Sequence, residues 1–233
     1  QPQRGRDAAL RGRVFDRLRG QEGIGGKMAT TTGIHRMPDG MSVVEILVLT
    51  VVMVVGMLVA VPNFGEARRA AAVRGAAGRM HGLMFRCRAF AIMNQRSTAL
   101  VFERREDGSW RCYVAADGDH DGVLRRDIER GTDPIVSEIH EFLPNEAGLG
   151  ILEGESVPNP SGRGWLAGDP TDPVRAGRGD IISFTPQGHA TPASVYLTDH
   201  RSRMRVLRVY GGTGRAISLV WRSGWKSWRR SAL

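Results

Sequence analysis

Cysteine is almost missing from this chain, with only Cys87 and Cys112 among 233 residues. That excludes a disulfide-rich scaffold and leaves two outcomes open, one disulfide or two buried thiols. Catalytic signatures are missing too. The six histidines, His35, His81, His120, His140, His189 and His200, are scattered without metal-ligand spacing. There is no Gly-x-Ser-x-Gly elbow and no Cys/His pair that the sequence brings together. Gly23-Ile24-Gly25-Gly26-Lys27 is not a phosphate loop, because Gln21 stands where the motif needs glycine and Met28 follows the lysine. No unit repeats along the chain. A non-enzymatic protein without a resident cofactor is the expectation.

Charge is absent from one stretch in particular. Between Met41 and Gly65 the only ionisable side chain is Glu45, after which the sequence runs ILVLTVVMVVGMLVAVPNFG. The run has about the length of a membrane-crossing helix. A carboxylate inside such a helix costs roughly 2.5–3.5 kcal/mol, so it needs a partner. No Lys, Arg or His lies within two turns of Glu45, which points to a partner on another chain.

The net charge is +9, from 33 basic and 24 acidic residues. Eight of the basic and four of the acidic residues fall in 1–40, leaving +5 for the rest. Residues 1–40 are rich in Arg and Gly, lack apolar periodicity and read as disordered. Met28 or Met37 is a candidate start for a short leader. Pro62 predicts a kink in the apolar helix, since proline deletes a hydrogen bond and clashes with the preceding turn. Helical periodicity then resumes. Val73, Ala76, Met80, Leu83, Cys87, Phe90 and Asn94 recur at three- and four-residue spacings, while Arg68, Arg69, Arg74, Arg79, Arg86 and Arg88 mostly occupy other faces. One helix over about 41–94 is expected. Strands are expected at 97–103, 110–115, 137–143, 180–185, 194–197, 204–210 and 215–221, with turns at Glu106-Asp107-Gly108-Ser109 and Gly211-Gly212-Thr213-Gly214. Residues 144–179, rich in Gly, Pro and Asp, read as a long loop with little core.

Gly40, Met41, Glu45 and Pro62 together resemble the class III signal of type IV prepilins and type II secretion pseudopilins: Gly before the cut, an apolar first residue, Glu fifth and Pro twenty-second. Met41 departs from the usual Phe, and Asp39 from the usual basic residue. The resemblance implies that a prepilin peptidase cuts between Gly40 and Met41 and methylates the new amine of Met41. That amine, with an ordinary pKa of about 7.7–8.0, is cationic near neutrality and can neutralise Glu45 of a neighbouring subunit in a fibre. A plain signal anchor explains the apolar run but not Glu45. A cleaved secretory signal ending near Gly65 and Ala67 lacks a basic n-region next to the run. Residues 40–219 further resemble the GspH/FimT branch of this superfamily through the helix-borne Arg and Ala residues, the strand at 97–103, the stretch Tyr113 to Gly122, Ile182-Ser183-Phe184-Thr185-Pro186-Gln187-Gly188 and Gly214-Arg215.

Two further motifs carry chemistry. Asp117-Gly118-Asp119-His120-Asp121-Gly122 matches the first half of a calcium loop, with Asp117, Asp119 and Asp121 as ligands. Arg125 and Ile128 stand where an oxygen donor and a bidentate acid belong, so an acidic turn is the preferred reading and calcium the alternative. The tail Trp221-Arg222-Ser223-Gly224-Trp225-Lys226-Ser227-Trp228-Arg229-Arg230 mixes aromatic and cationic side chains. That suits nucleic acid or a membrane interface. DNA contact through Arg215, Arg222, Lys226, Arg229 and Arg230 is the sharper reading. Trp221 in a sheet with a solvated basic end is the plainer one. Ile217 stands where the DNA-binding signature of FimT-type pilins has a second arginine.

The resulting expectation is an α+β, pilin-like fold, in which a long N-terminal, partly transmembrane α-helix packs on an antiparallel β-sheet. Its layout is a leader at 1–40, a transmembrane helix at 41–65 and a periplasmic head at 66–233, made of a helix at 66–95, a sheet at 97–221 and a basic tail at 222–233. By the resemblance the chain is a single-pass bacterial inner-membrane protein, a minor pseudopilin of type II secretion. Its partners are then other pseudopilins or pilins in a fibre, the prepilin peptidase, the inner-membrane assembly platform and secreted cargo. Two alternatives remain: a FimT-like minor type IV pilin for DNA uptake or pilus priming, and a membrane-anchored periplasmic binding domain.

Overall fold

The computed structural model describes residues 42–143, 147–177 and 179–232, with backbone alone at 59–63. The expected leader 1–40, with the expected cleavage at Gly40 and methylation at Met41, lies outside the described residues. The chain divides into two compact units, Gln1–Thr50 and Val51–Leu233.

Helix α1 is Val43–Asn94. In the first unit its opening turn hangs on the Ser42 carbonyl, which accepts from the amides of Glu45 at 2.9 Å and Ile46 at 3.1 Å. In the second unit Val73, Ala76, Ala77, Met80, Leu83, Met84, Cys87 and Ala91 are buried, a stripe at three- and four-residue intervals. The helix ends by satisfying its own last carbonyls: the Asn94 side-chain Nδ2 donates to Phe90 O, the Gln95 side chain to Ile92 O and the Arg96 backbone amide to Ala91 O. Gln95 takes the left-handed conformation, φ +52°, that closes such an end.

Strands β1 (Thr98–Arg104) and β2 (Trp110–Ala116) form a hairpin. A short helix α2 (Arg125–Arg130) follows, then β3 (His140–Phe142), β4 (Gly148–Leu149), β5 (Val174–Ala176), β6 (Ile181–Phe184), β7 (Ala193–Thr198), β8 (Arg203–Val209), β9 (Ala216–Arg222) and β10 (Arg229–Arg230). They build two antiparallel sheets. One has the order β3-β2-β1-β6; the other runs β10-β9-β8-β7-β4, with β5 also paired to β7. The α1 stripe shares one core with Leu100, Phe102, Cys112, Val114, Ile182 and Phe184 of the first sheet and Val195, Leu197, Leu207 and Val209 of the second. Alternate residues point the other way. Ala99, Val101, Tyr113 and Ala115 are covered by Val123 and Ile128, and Tyr196, Met204, Val206 and Trp221 by residues 151–166 and the tail.

The expected fold class is therefore corrected. A partly transmembrane helix on one antiparallel sheet does not describe this molecule, whose strands form two antiparallel sheets. Among the described residues no helix is long and apolar enough to cross a membrane. The segment 144–179 is not coreless, since Ile151, Leu152 and Val157 are buried and β4 and β5 join the second sheet. Nor is 222–233 a free tail, because Arg229 and Arg230 pair with Val220 and Leu219. The backbone of α1 passes through position 62 within the same helix.

The disulfide is corrected as well: both cysteines are free and buried. Thr98 Oγ1 donates to Cys87 O at 2.8 Å and lies 3.3 Å from Cys87 Sγ. Cys112 is paired with Phe102, four residues further along β1. Burial pushes both thiols up to about 12. Alkylation of the native chain near pH 8 should stall, and unfolding without reductant should release two reactive thiols. Mass spectrometry counts them.

Candidate functional site

Glu45 sits in the first turn of α1, where a carboxylate faces the positive end of the helix dipole. Its neighbours Val43, Val44, Ile46, Leu47, Val48 and Leu49 are all exposed, and among the described residues none forms an ion pair with Glu45. In the second unit Val51–Val55, Met57 and Leu58 are likewise exposed. Monomers rarely present so many apolar side chains to solvent. The Pro62 side chain lies outside the described residues.

The acidic motif folds into a closed loop rather than an open ion cage. Asp117 accepts from the amides of His120 at 2.6 Å and Gly122 at 3.1 Å. Asp133, 1 % exposed, accepts from Gly118 at 2.9 Å and Leu124 at 3.0 Å. The loop closes tightly at Gly118, where a Cβ would lie 1.9 Å from Thr132 O. Asp121 pairs with Arg126 at 3.3 Å while lying against Asp119. The carboxylates that converge are Asp117, Asp119 and Asp133, with oxygens within 4.8 Å of one another. Calcium takes six to eight oxygens, and two of these three carboxylates already spend their lone pairs on backbone amides. Asp133 lies fifteen residues beyond Gly118, and no spacing rule connects it to the motif.

The tail's aromatics are spent on packing. Trp221 is 1 % exposed and its Nε1 donates to Trp225 O at 2.9 Å; Trp228 Nε1 donates to Pro158 O at 2.6 Å. Trp228 stands edge-on to Tyr196 with centroids 6.4 Å apart, and Arg229 lies 4.2 Å above Trp225. Arg222 is engaged too. It and Arg203 both hold Glu66 of α1, at 3.0 and 3.2 Å. Lys226, Arg230 and Arg215 remain exposed. Arg215 follows Gly214, whose left-handed φ of +58° and 2.4 Å Cβ approach to Gly188 O demand glycine. The proposed nucleic-acid set is thus a dispersed group of cations without a stacking platform.

Two polar networks were not visible in the sequence. On β1 and β2, Glu103 pairs with Arg111, accepts the Tyr113 hydroxyl proton and lies 3.6 Å from Arg125. Burial opposes ionisation of Glu103, but the Tyr113 and Arg111 hydrogen bonds and the Arg111 and Arg125 charges outweigh it and hold the carboxyl below its usual range. Arg205 is 5 % exposed and donates at 3.2 Å to Ser218 and to Ser231, hydroxyls rather than carboxylates. Burial, and then the Arg74 charge, lower its pKa.

Comparison of the chain with protein-family models, with curated proteins and with solved structures returned no match.

Two outcomes follow from these networks. Because Glu103 titrates below its unfolded value, its stabilisation is complete above that value of 4.5 and fades as pH falls through the folded one. Glu103→Gln should therefore flatten the acid limb of a plot of Tm against pH, below about pH 5. Asp133→Ala should cost about 1–3 kcal/mol in urea unfolding by orphaning two buried amides. Millimolar calcium should leave the wild-type midpoint unmoved, which unfolding with and without a chelator would check.

Proposed function

We propose that the chain is a minor pseudopilin subunit of a type II secretion system, a mechanical and non-enzymatic component of a periplasmic fibre. The observation that carries this is Glu45, the lone charge in a long apolar segment whose described side chains are all exposed. In the proposed sequence of events a prepilin peptidase cleaves after Gly40, the new amine of Met41 is methylated, and its positive charge meets Glu45 of the adjoining subunit. Each buried charge then offsets the other's desolvation. The exposed valines and leucines leave lipid for contact with like helices, where close packing replaces lipid contacts.

Localisation in this proposal is the bacterial inner membrane, single-pass, with the head in the periplasm. It rests on the uncharged run of sequence after Glu45. The platform pushes subunits outward, and the head meets neighbouring subunits or secreted cargo. DNA uptake by a FimT-like pilin is less favoured, because Trp221 and Trp228 are occupied in the core and Arg222 is held by Glu66.

The deciding experiment has two arms. Mass spectrometry of the mature protein from cells should find an N-terminus at Met41 carrying one additional methyl group. Glu45→Ala and Glu45→Gln should abolish crosslinking into the fibre and reduce exoprotein secretion at least tenfold, while the unassembled subunit accumulates at normal level. An uncut Gly40–Met41 bond, or normal assembly of both variants, overturns the proposal.

A further inference from the structure

The outer face of the second sheet carries a row of three polar residues at one end. The register sets Arg175 of β5 opposite Ser194 of β7, and Ser194 opposite Arg208 of β8. Directly paired residues share a face, so two arginines flank one serine hydroxyl across three strands, with Cα atoms about 10 Å apart. Along the same face this row adjoins Tyr196, Val206 and Trp221, which residues 151–166 and the tail cover. Over the row itself the cover is partial, reaching Arg208 through Pro160 O. A cavity of about 270 Å³ opens there, lined by Arg175, Ser194, Arg208, Tyr210 and the Pro192 and Gly211 turns.

Both arginines are held in place but not neutralised. The Arg175 guanidinium lies over the Tyr196 ring, 5.3 Å from its centroid, which fixes the plane and leaves the N–H edges free. Arg208 spends one donor on Pro160 O at 3.3 Å. Among the described residues neither forms an ion pair, and no carboxylate lines the cavity. Glu153 and Glu155 belong to a neighbouring cavity that Arg175 also borders, where Glu155 accepts the Ser223 hydroxyl proton at 2.6 Å. The notch therefore holds two half-buried positive charges, several unused N–H donors and the Ser194 hydroxyl, which also contacts the Tyr196 hydroxyl.

We propose that the Arg175–Ser194–Arg208 notch is a binding site for a tetrahedral dianion, phosphate or a phosphate monoester. Two guanidinium forks approaching from opposite sides, with a hydroxyl between them, engage three oxygens of a tetrahedral ion, and the charges cancel. A carboxylate offers two coplanar oxygens and leaves one cation uncompensated. Tyr210, 46 % exposed at the rim, is placed to lie against an organic group carried by the phosphate. The site stands independently of the secretion role proposed above.

The test uses the full chain in detergent micelles, in a phosphate-free chloride buffer, titrated calorimetrically with inorganic phosphate, phenyl phosphate and acetate. Phosphate should bind once per chain with a Kd of about 1 mM or tighter. Arg175→Gln and Arg208→Gln should each weaken it at least tenfold, while Arg201→Gln, at an exposed arginine in the turn between β7 and β8, leaves it unchanged. Ser194→Asp places a carboxylate in the notch and should abolish binding in a chain that still unfolds cooperatively, which separates loss of the site from loss of the fold. Phenyl phosphate binding more tightly than phosphate, with the gain lost in Tyr210→Ala, assigns an organic phosphate; equal affinity assigns the free ion. No saturable binding up to 10 mM phosphate, on the order of ten times that Kd, equal affinity in Arg175→Gln and Arg201→Gln, or acetate matching phosphate would each overturn the proposal.

Discussion

One constraint organises the second unit: the stripe from Val73 to Ala91 on α1 is buried by two sheets at once. A helix exposes a narrow apolar face, and here that face is flanked by arginines on both sides. Small residues in the stripe, Ala76, Ala77 and Ala91, let strands approach closely, while Met80, Leu83 and Met84 fill the space between them. Once both inner faces are committed to the helix, each sheet has an outer face left to cover. The first is closed by the acidic loop and α2, the second by residues 151–166 and the tail. The parts of the sequence that look least like core thus become core by necessity.

Electrostatics around α1 obey the same constraint. The helix brings Arg74 towards a sheet that already carries Arg203, Arg205 and Arg222. Glu66 is the acid recorded against them, divided between Arg203 and Arg222. Partly exposed as it is, this pairing contributes little net stability, on the order of 1 kcal/mol or less. Its effect is positional, because without an acid there the helix and sheet would meet cation to cation. Arg205, left with two serine hydroxyls, bears the residual cost of that crowding.

What the sequence made legible follows from period. The α1 stripe repeats every three to four residues, and β1, β2, β7, β8 and β9 alternate or run apolar between clear turns, so their places could be read directly. Which strands share a sheet could not. Sheet membership depends on long-range pairing, and nothing in the local pattern separates β6, which joins β1, from β7, which pairs with β8. Strands of two or three residues such as β4, β5 and β10 are too short to show a period at all. Of the candidate site residues, Glu45 was legible because its surroundings are locally uniform. The acidic loop was half legible: Asp117 announces itself by spacing, whereas Asp133 arrives only through the fold. The cross-strand row of Arg175, Ser194 and Arg208 was illegible, since three residues from separate strands meet only once the register is set.

The tail shows how composition and placement can carry opposite messages. Alternating Trp with Lys and Arg is the composition of a surface that stacks on bases, and stacking requires an open aromatic face. Trp221 and Trp228 instead point into the cluster with Tyr196, Met204 and Val206, and each indole N–H is satisfied by a carbonyl within the fold. Exposing Trp221 would leave the Trp225 carbonyl without its donor and open a cavity, at about 3–5 kcal/mol for a buried tryptophan. No base-stacking contact, worth about 1–3 kcal/mol each, would recover that. The cations of the tail are thereby left as solvated charges on the edge of a sheet whose stability depends on the tryptophans between them.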